Sequence, residues 1–386
     1  MTIKDEAVKV RQGEELNIEA IAKFLKYNVA GLSDICSVSD SSHGLDSFQS
    51  SNNLNLTIEQ YPGGFSNLTY LLKVKHCPIE NGGQVGEKQM VLRRPPIGAK
   101  IKSAHDMVRE FKILSAIYPV FHYCPKPLAY SEDESIMGCS FYVMEKIQGI
   151  ILRKELPQGL TFSKEQAHKL CEKLVDLHLD LHAIDVKAAG LDFIGKPEGY
   201  VARQVQGWSD RYRKAKTPDA PDFEAVMAWL DDKKQPDTDR PALIHNDYKF
   251  DNVLLNPEKP MEIVGVLDWE MATYGDPLMD LGSSLGYWIE KNDPPECQMI
   301  RSMPTDIDGA MTRREIIERY GEKSGRNMDN FDFYYCFGLF RLAVIAQQIY
   351  KRFHLGFTKD KRFGLLIHAI RVLEKMALKV IDDCKI

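Results

Sequence analysis

Between Leu243 and Gly282 the chain alternates short apolar runs with closely spaced polar groups, and this order narrows the fold more than any other feature. Leu243-Ile244 leads into His245-Asn246-Asp247. Asn252 follows after four intervening residues and opens a second apolar run, Val253–Leu255. Asn256-Pro257-Glu258-Lys259-Pro260 has the composition of a turn. The apolar segment Ile263–Leu267 then delivers Asp268 at its end, and Gly275-Asp276-Pro277 introduces a stretch carrying Asp280. The pattern predicts strand, loop, strand, turn and strand, with carboxylates and an amide displayed from the loop and from a strand end.

Two readings compete for these polar groups. One is a pair of turns stabilised by Asp and Asn side chains. The other is chemical. Phosphoryl transfer needs positioning and charge neutralisation more than covalent work, and hard divalent cations prefer oxygen ligands. On that reading one Asp orients an attacking hydroxyl and takes its proton, while an Asn and a second Asp hold Mg²⁺ beside a nucleoside triphosphate. Turns alone leave unexplained why the His-x-Asp-x-x-x-x-Asn spacing is followed by a strand-terminal Asp.

The first 150 residues predict a small antiparallel sheet. Asn17–Val29 has helical periodicity, with Asn17 as N-cap. Ser33–Asn55 is rich in Ser, Asp and Asn and reads as a loop. Leu54–Tyr61, Thr69–Lys75 and Gln89–Arg94 have strand character and are joined as two consecutive hairpins. The Pro62–Leu68 connection is either an ordinary glycine-bearing hairpin or a phosphate-covering loop, in which Ser66, Asn67 and bare backbone N–H groups face the nucleotide. Gly82–Lys88 lacks the spacing of a Walker A loop and is expected to face solvent. Arg93 ends the third strand. A helix is expected from Ser103, with Asp106 completing a capping-box variant, and it carries Glu110. Arg93 and Glu110 are either two surface charges or an ion pair that aims the cation at phosphates. Lys126–Ser131 and Ser140–Met144 add two strands. The polar link Glu145–Gly149 marks a boundary between an N-terminal lobe, 1–147, and a C-terminal one, 148–386. Adenine is expected to use backbone groups near Met144 and Lys146 there, because clefts between lobes favour ligands.

After the link the pattern turns helical. Ser163 and Gln166 form a capping box ahead of a helix running to His182. His182 is either catalytic or a hydrogen-bonded group at the helix end. Helices are expected near Gly199–Lys216, Asp222–Asp232, Thr312–Ser324 and Phe331–Arg352. In the last, Phe337, Phe340, Leu342, Ile345 and Ile349 are expected to be buried, with Arg341 and Gln348 elsewhere. Arg203, Trp208 and Arg341 suit an anionic, partly apolar acceptor; the plainer alternative is solvated charge and a core indole.

Composition excludes several classes. The net charge of −5 offers no basic excess for nucleic acid. No apolar run approaches the ~20 residues of a membrane span. The charged start, Met1–Arg11, lacks the apolar core of a secretory signal. Eight cysteines without a C-x-x-C pair argue against structural zinc or a redox motif and for reduced thiols in the cytoplasm.

His245-x-Asp247-x-x-x-x-Asn252 with Leu267-Asp268-Trp269-Glu270 resembles the signature of the aminoglycoside phosphotransferase and choline kinase superfamily, which is similar in fold to protein kinases. The resemblance includes Gly64-Phe65-Ser66-Asn67, Val91-Leu92-Arg93-Arg94-Pro95-Pro96, Arg109-Glu110 and Gly275-Asp276-Pro277-Leu278-Met279-Asp280, and covers about residues 55 to 355. It implies an α+β, bilobed fold, with an antiparallel sheet lobe containing one key helix and a larger, mainly helical lobe. It also implies an ATP- and Mg²⁺-dependent kinase acting on the hydroxyl of a small molecule. Asp247 would be the base and Asn252 and Asp268 the metal ligands, while Asp280 supports the loop together with His245. Two departures stand out. The family's strand lysine is Arg93 here, and its common His-Gly-Asp is His245-Asn246-Asp247. The Arg-Arg-Pro-Pro run, Gln204–Trp208 and Phe337–Ala343 resemble the branch fused to acyl-CoA dehydrogenases in animals. That branch implies hydroxyacyl acceptors or their coenzyme A thioesters, and a free-standing kinase here. Aminoglycoside or choline-type acceptors, GTP in place of ATP, and a nucleotide-binding scaffold without activity remain alternatives, and the sequence is silent on oligomeric state.

Overall fold

The computed structural model describes residues 6–32, 54–62, 67–76, 86–96, 106–358 and 360–383. The chain divides into two compact units, one up to Gly149 and the other from Ile150. Both sheet and helix are present in quantity, so the α+β class holds.

The smaller unit begins with α1 (Ile18–Asn28), whose N-cap Asn17 accepts a hydrogen bond from Ala20 N at 3.1 Å. Strands β1 (Asn55–Gln60), β2 (Leu68–His76) and β3 (Gly86–Arg94) follow, then α2 (Met107–Ile117), β4 (Pro127–Ser131), the single turn α3 (Glu134–Met137) and β5 (Phe141–Glu145). The sheet order is β1-β2-β3-β5-β4, every neighbouring pair antiparallel. Period-two alternation divides the side chains. Tyr70, Leu72, Met90, Leu92, Phe141 and Val143 join Ile21, Phe24 and Leu25 of α1 in one apolar core. The intervening positions Val91, Arg93 and Tyr142 therefore face the other way, and there Arg93 meets α2.

Several expectations shift. β3 starts at Gly86, so Gly86–Lys88 belongs to a strand rather than a solvent loop, because the ladder to β2 continues to the His76–Gly86 pair. The N-cap of α2 is Asp106, which accepts from Arg109 N at 2.9 Å; Ser103 lies outside the described residues. Most of the Pro62–Leu68 turn, Ser66 included, also lies outside them, as does most of Ser33–Asn55.

The larger unit opens with β6 (Ile150–Ile151) and α4 (Lys164–His182), which has the expected Ser163–Gln166 capping box. Then come α5 (Tyr200–Ala215), α6 (Glu224–Asp232), β7 (Ala242–Ile244), β8 (Val253–Leu255), β9 (Ile263–Val266), β10 (Thr273–Gly275) and α7 (Pro277–Leu285). The chain continues through α8 (Pro295–Met299), α9 (Arg313–Ser324), α10 (Phe331–His354) and α11 (Leu366–Asp383). β7 pairs with β10, and β8 lies between β6 and β9, so two small sheets hold the loop that joins β7 to β8.

α10 departs from the expected single buried face. Phe337 and Phe340 are buried, but Leu342, Ile345 and Ile349 are only partly so, whereas Arg341 is 3% exposed. The helix packs against α5, α7 and α11, so contact on several sides buries residues around its circumference. A period argument presumes one apolar stripe and fails when a helix is central.

Candidate active site

The β7–β8 loop is built around a buried carboxylate. α7 begins on Asp276 as N-cap, with Pro277 at its first position, and this sets Asp280 one turn in. Asp280 is fully buried. It accepts from His245 N and Asn246 N, both at 2.7 Å, and contacts His178 Nε2 and His182 Nε2 of α4, both at 3.1 Å. Burial alone would raise its pKa, but the hydrogen bonds from the two imidazoles hold it well below the usual carboxylate range. Burial, then the neighbouring His178, pulls the His182 pKa down to about 4, so its ring is neutral. With Nε2–H donated to Asp280, the remaining Nδ1 accepts from the Tyr320 hydroxyl at 2.7 Å. His182 is thus a hydrogen-bonded histidine at a helix end, one of the two roles open to it in the sequence.

His245 locks the next layer. Its Nδ1 accepts from Asp247 N at 3.2 Å, which leaves Nε2–H to donate to Leu267 O at 3.0 Å. Leu267 N in turn donates to Asn252 O at 2.8 Å, which ties the loop to the end of β9. Asn246 and Asp268 both adopt left-handed backbone conformations, with φ of 63° and 67°. Asn and Asp are the non-glycine residues that tolerate this region best. A glycine is therefore natural at position 246, and Asn is a residue that can replace it.

Asp247 projects from this frame. Both of its carboxylate oxygens accept from Lys249 Nζ, at 2.7 and 2.8 Å. Asn252 Nδ2 donates to Asp247 Oδ2 and to its backbone carbonyl, both at 2.8 Å. The amide is thereby oriented, and its oxygen is left as a hard donor. Lys249 also sits 4.4 Å from the centroid of Tyr287, just beyond the end of α7. Burial works to lower the Lys249 pKa, but Tyr287 and Asp247 outweigh it and hold the ammonium above its ordinary value. Lys249, Tyr287 and His178 were not singled out by the sequence. Lys249 lies inside the motif, two residues from Asp247, and that spacing was the available signal. Nothing local marks Tyr287.

In the smaller unit, Arg93 Nη1 and Glu110 Oε1 are 2.5 Å apart, with Arg93 7% and Glu110 2% exposed. They form a buried ion pair, which rules out two solvated surface charges. Asn67 is buried at the start of β2, where its neighbour Leu68 pairs with Arg94. Met144 pairs across the sheet with Val91, and Lys146 Nζ donates to Gln89 Oε1 at 2.7 Å.

The three residues expected near an acceptor have separate fates. Arg203 is exposed and its guanidinium binds the carbonyls of Lys196 and Glu198, closing the chain ahead of α5. Trp208 is buried, as a core indole would be, and donates Nε1–H to Gln204 Oε1 at 3.1 Å. Arg341 is nearly buried, at 3% exposed. It lies 5.0 Å from the Trp208 ring centroid, while the exposed Arg211 lies 4.8 Å from the same ring.

A sheet-bearing unit, a helical unit and a loop of this construction define the class of small-molecule phosphotransferases. Residues 57–313 match the phosphotransferase enzyme family, and the chain belongs to it. It is 31% identical over 386 residues to rat acyl-CoA dehydrogenase family member 11, covering 98% of this chain and 45% of that protein. It is 35% identical over 295 residues to mouse acyl-CoA dehydrogenase family member 10, covering 76% of this chain and 26% of that protein. The chain thus spans less than half the length of these relatives, and the likeness to the dehydrogenase-fused branch holds. A solved structure of a putative aminoglycoside phosphotransferase from Ralstonia eutropha JMP134 superposes with a TM-score of 0.72 at 25% identity, over 96% of this chain and 99% of that one. A choline kinase from Cryptosporidium parvum shares the fold, with a TM-score of 0.57 at 10% identity over 95% and 97% of the two chains. The GDP complex of aminoglycoside 2′-phosphotransferase-IIIa does so with a TM-score of 0.51 at 16% identity, over 83% and 92%. Among the described residues, no helix is long and apolar enough to cross a membrane.

Proposed function

We propose that the protein transfers the terminal phosphoryl group of ATP to the hydroxyl of a small hydroxyacyl compound, free or as a coenzyme A thioester. The observation that carries the reading is the Asp247–Asn252 pair. The Asn252 amide donates its N–H groups to Asp247, which leaves its oxygen to accept or to ligate, so one hydrogen-bonded unit offers both a base and a cation ligand. Asp268, presented at the end of β9, is a second oxygen donor, and this donor set suits Mg²⁺. Bound Mg²⁺ and nucleotide would supply the phosphoryl group and neutralise its charge.

The chain's own residues have distinct parts in this proposal. Asp247 accepts a hydrogen bond from the acceptor hydroxyl, aims its oxygen, and takes its proton as the bond to phosphorus forms. Lys249 keeps that carboxylate oriented. Arg93, fixed by Glu110, offers a guanidinium to phosphate oxygens in place of the usual lysine, a role its planar fork suits. Ser66, Asn67 and the backbone near Met144 and Lys146 complete the nucleotide contacts, in an N-terminal lobe of residues 1–147. The lobe of residues 148–386 carries the chemistry and the acceptor. Support for the hydroxyacyl class comes from the relatives named as acyl-CoA dehydrogenase family members, and support for nucleotide use from the GDP-bound neighbour.

A thermal-shift and ADP-release screen tests the reading. It uses Mg·ATP and Mg·GTP against hydroxy acids, hydroxyacyl thioesters, amino alcohols, aminoglycosides and sugars. The expected result is ADP release with hydroxyacyl acceptors. Phosphorylation of kanamycin or choline at low KM, with none of the hydroxyacyl compounds, would overturn the acceptor class. Nucleotide binding with no transfer to any alcohol would favour a scaffold.

A further inference from the structure

Arg341 is a buried cation without a buried anion. Among the described residues no carboxylate lies within ion-pair distance of it, and its guanidinium makes no hydrogen bond. The face of Trp208 lies 5.0 Å from it. A buried arginine left with its N–H groups unmatched is costly, and such a group persists where a ligand completes it. The guanidinium nitrogens are not among the polar atoms sealed off without a partner, so they still reach water.

Helix packing puts this cation beside the catalytic loop. α7 and α10 approach at backbone contact: a Cβ on Gly338 would fall 2.0 Å from the Gly282 carbonyl oxygen, and one on Gly286 would fall 2.9 Å from the Gly338 backbone. Tyr287 is the residue after Gly286. Arg341 is three residues after Gly338 and so lies on the same helix face, about 4.5 Å further along. The two residues are therefore brought to the same region at the end of α7, near enough for Arg341 to act on the Tyr287 phenol. Tyr287 is in turn the ring under Lys249, whose ammonium holds Asp247. Its phenol feels both cations and Asp247: burial raises its pKa, Lys249 and Arg341 lower it, and Asp247 raises it.

From this geometry we infer that Arg341, backed by Trp208, is the specificity-determining residue of the acceptor site and binds an anionic group that the acceptor carries apart from its reacting hydroxyl. The inference rests on the kinase reading above and narrows its acceptor. Choline and aminoglycosides are cations and would be repelled by Arg341 and Lys249 together. The anion is a carboxylate of a free hydroxy acid or a phosphate of a coenzyme A thioester, and the shared chemistry is a set of anionic oxygens gripped by a planar fork. Trp208 supplies an apolar wall beside it and keeps the guanidinium in place without neutralising it.

The test uses the full chain, wild type and Arg341→Met, Arg341→Lys and Trp208→Phe, with ω-hydroxy acids from glycolate to 6-hydroxyhexanoate, the amide of each, and the matching coenzyme A thioesters. Turnover gives kcat and KM, thermal shift reports acceptor binding without turnover, and a fluorescent ATP analogue reports nucleotide affinity separately. The wild type is expected to prefer anionic acceptors over amides by about 10- to 100-fold in kcat/KM, mostly through KM. Arg341→Met should remove that preference and Arg341→Lys restore part of it, with nucleotide affinity unchanged in both. Where the thioester outperforms the acid and loses its advantage in Arg341→Met, phosphate is the anion; where the acid leads, carboxylate is. Equal use of acids and amides by the wild type, or an undiminished preference in Arg341→Met, overturns the inference. If no acceptor turns over while nucleotide binds, the kinase reading fails. Thermal shift by acids but not amides, lost in Arg341→Met, would still uphold the anion site.

Discussion

Asp280 and Arg341 are both buried charges in the helical unit, and they are treated in opposite ways. Asp280 is fully matched, with two backbone N–H groups and two imidazoles converging on it. Among the described residues Arg341 has an aromatic face beside it and no hydrogen bond. A charge that its own fold completes serves the structure, because removing it strands the partners. A charge that the fold leaves open costs stability and is kept for something that arrives from outside. Lys249 lies between these cases, since its ammonium is matched by Asp247, the residue whose proton chemistry is at issue.

The contrast is broken most severely at Asp280. Asp280→Ala leaves two backbone donors and two histidines without an acceptor, so urea denaturation should show a loss of about 3–5 kcal/mol. Turnover should fall as well, because the His245–Asn246 peptide loses its anchor. A loss under 1 kcal/mol would mean that the network is ornamental.

Arg341→Met should leave stability within about 1 kcal/mol of wild type by the same measurement, or raise it slightly, since no ion pair is lost and an open buried charge is removed. A loss comparable to that of Asp280→Ala would show that the arginine has an internal partner, and the comparison would collapse.

Asp276 adds a pH test. Its carboxylate caps α7 through Leu278 N at 2.8 Å, and burial raises its pKa to about 6. A raised folded-state value means that the folded protein holds its proton more tightly than the unfolded chain. The stabilisation is fully present below the unfolded value near 4 and is lost as pH rises through 6. Asp276→Asn keeps a capping oxygen and cannot ionise. It should gain on wild type by about 1–3 kcal/mol at pH 8, with the gain shrinking as pH falls toward 4. Denaturation curves at pH 5 and pH 8 check the sign.

The smallest effect is expected at Asn246. Asn246→Gly relieves a positive φ of 63° but forfeits the hydrogen bond from Nδ2 to Met271 O at 3.0 Å. The two changes oppose, and stability should move by less than about 1 kcal/mol.

What the sequence disclosed follows the range of each interaction. His245, Asp247 and Asn252 were legible because one loop fixes their spacing, and Asp268 because a strand ends on it. The hairpins of the small sheet were legible through alternation. Asp280 was recognised as support for the loop, but its histidine partners lie 98 and 102 residues away, and no local pattern links them. Lys249 was passed over because a lysine in a polar loop is ordinarily solvated, and its burial comes from α7. Arg341 was set apart from the buried positions of α10 because a 3.6-residue period presumes one buried stripe. The Gly282–Gly338 contact that brings it inward is a tertiary fact.

The central claim is that Asp247 directs a phosphoryl group onto an alcohol, and phosphorus NMR tests it most directly. Wild-type protein and Asp247→Ala are each incubated with Mg·ATP and the acceptor from the screen, and nucleotide binding is measured in parallel. The account predicts a phosphomonoester resonance on the acceptor with wild type, a rate at least ~100-fold lower in Asp247→Ala, and retained nucleotide binding. Equal phosphomonoester formation by the two proteins would contradict it.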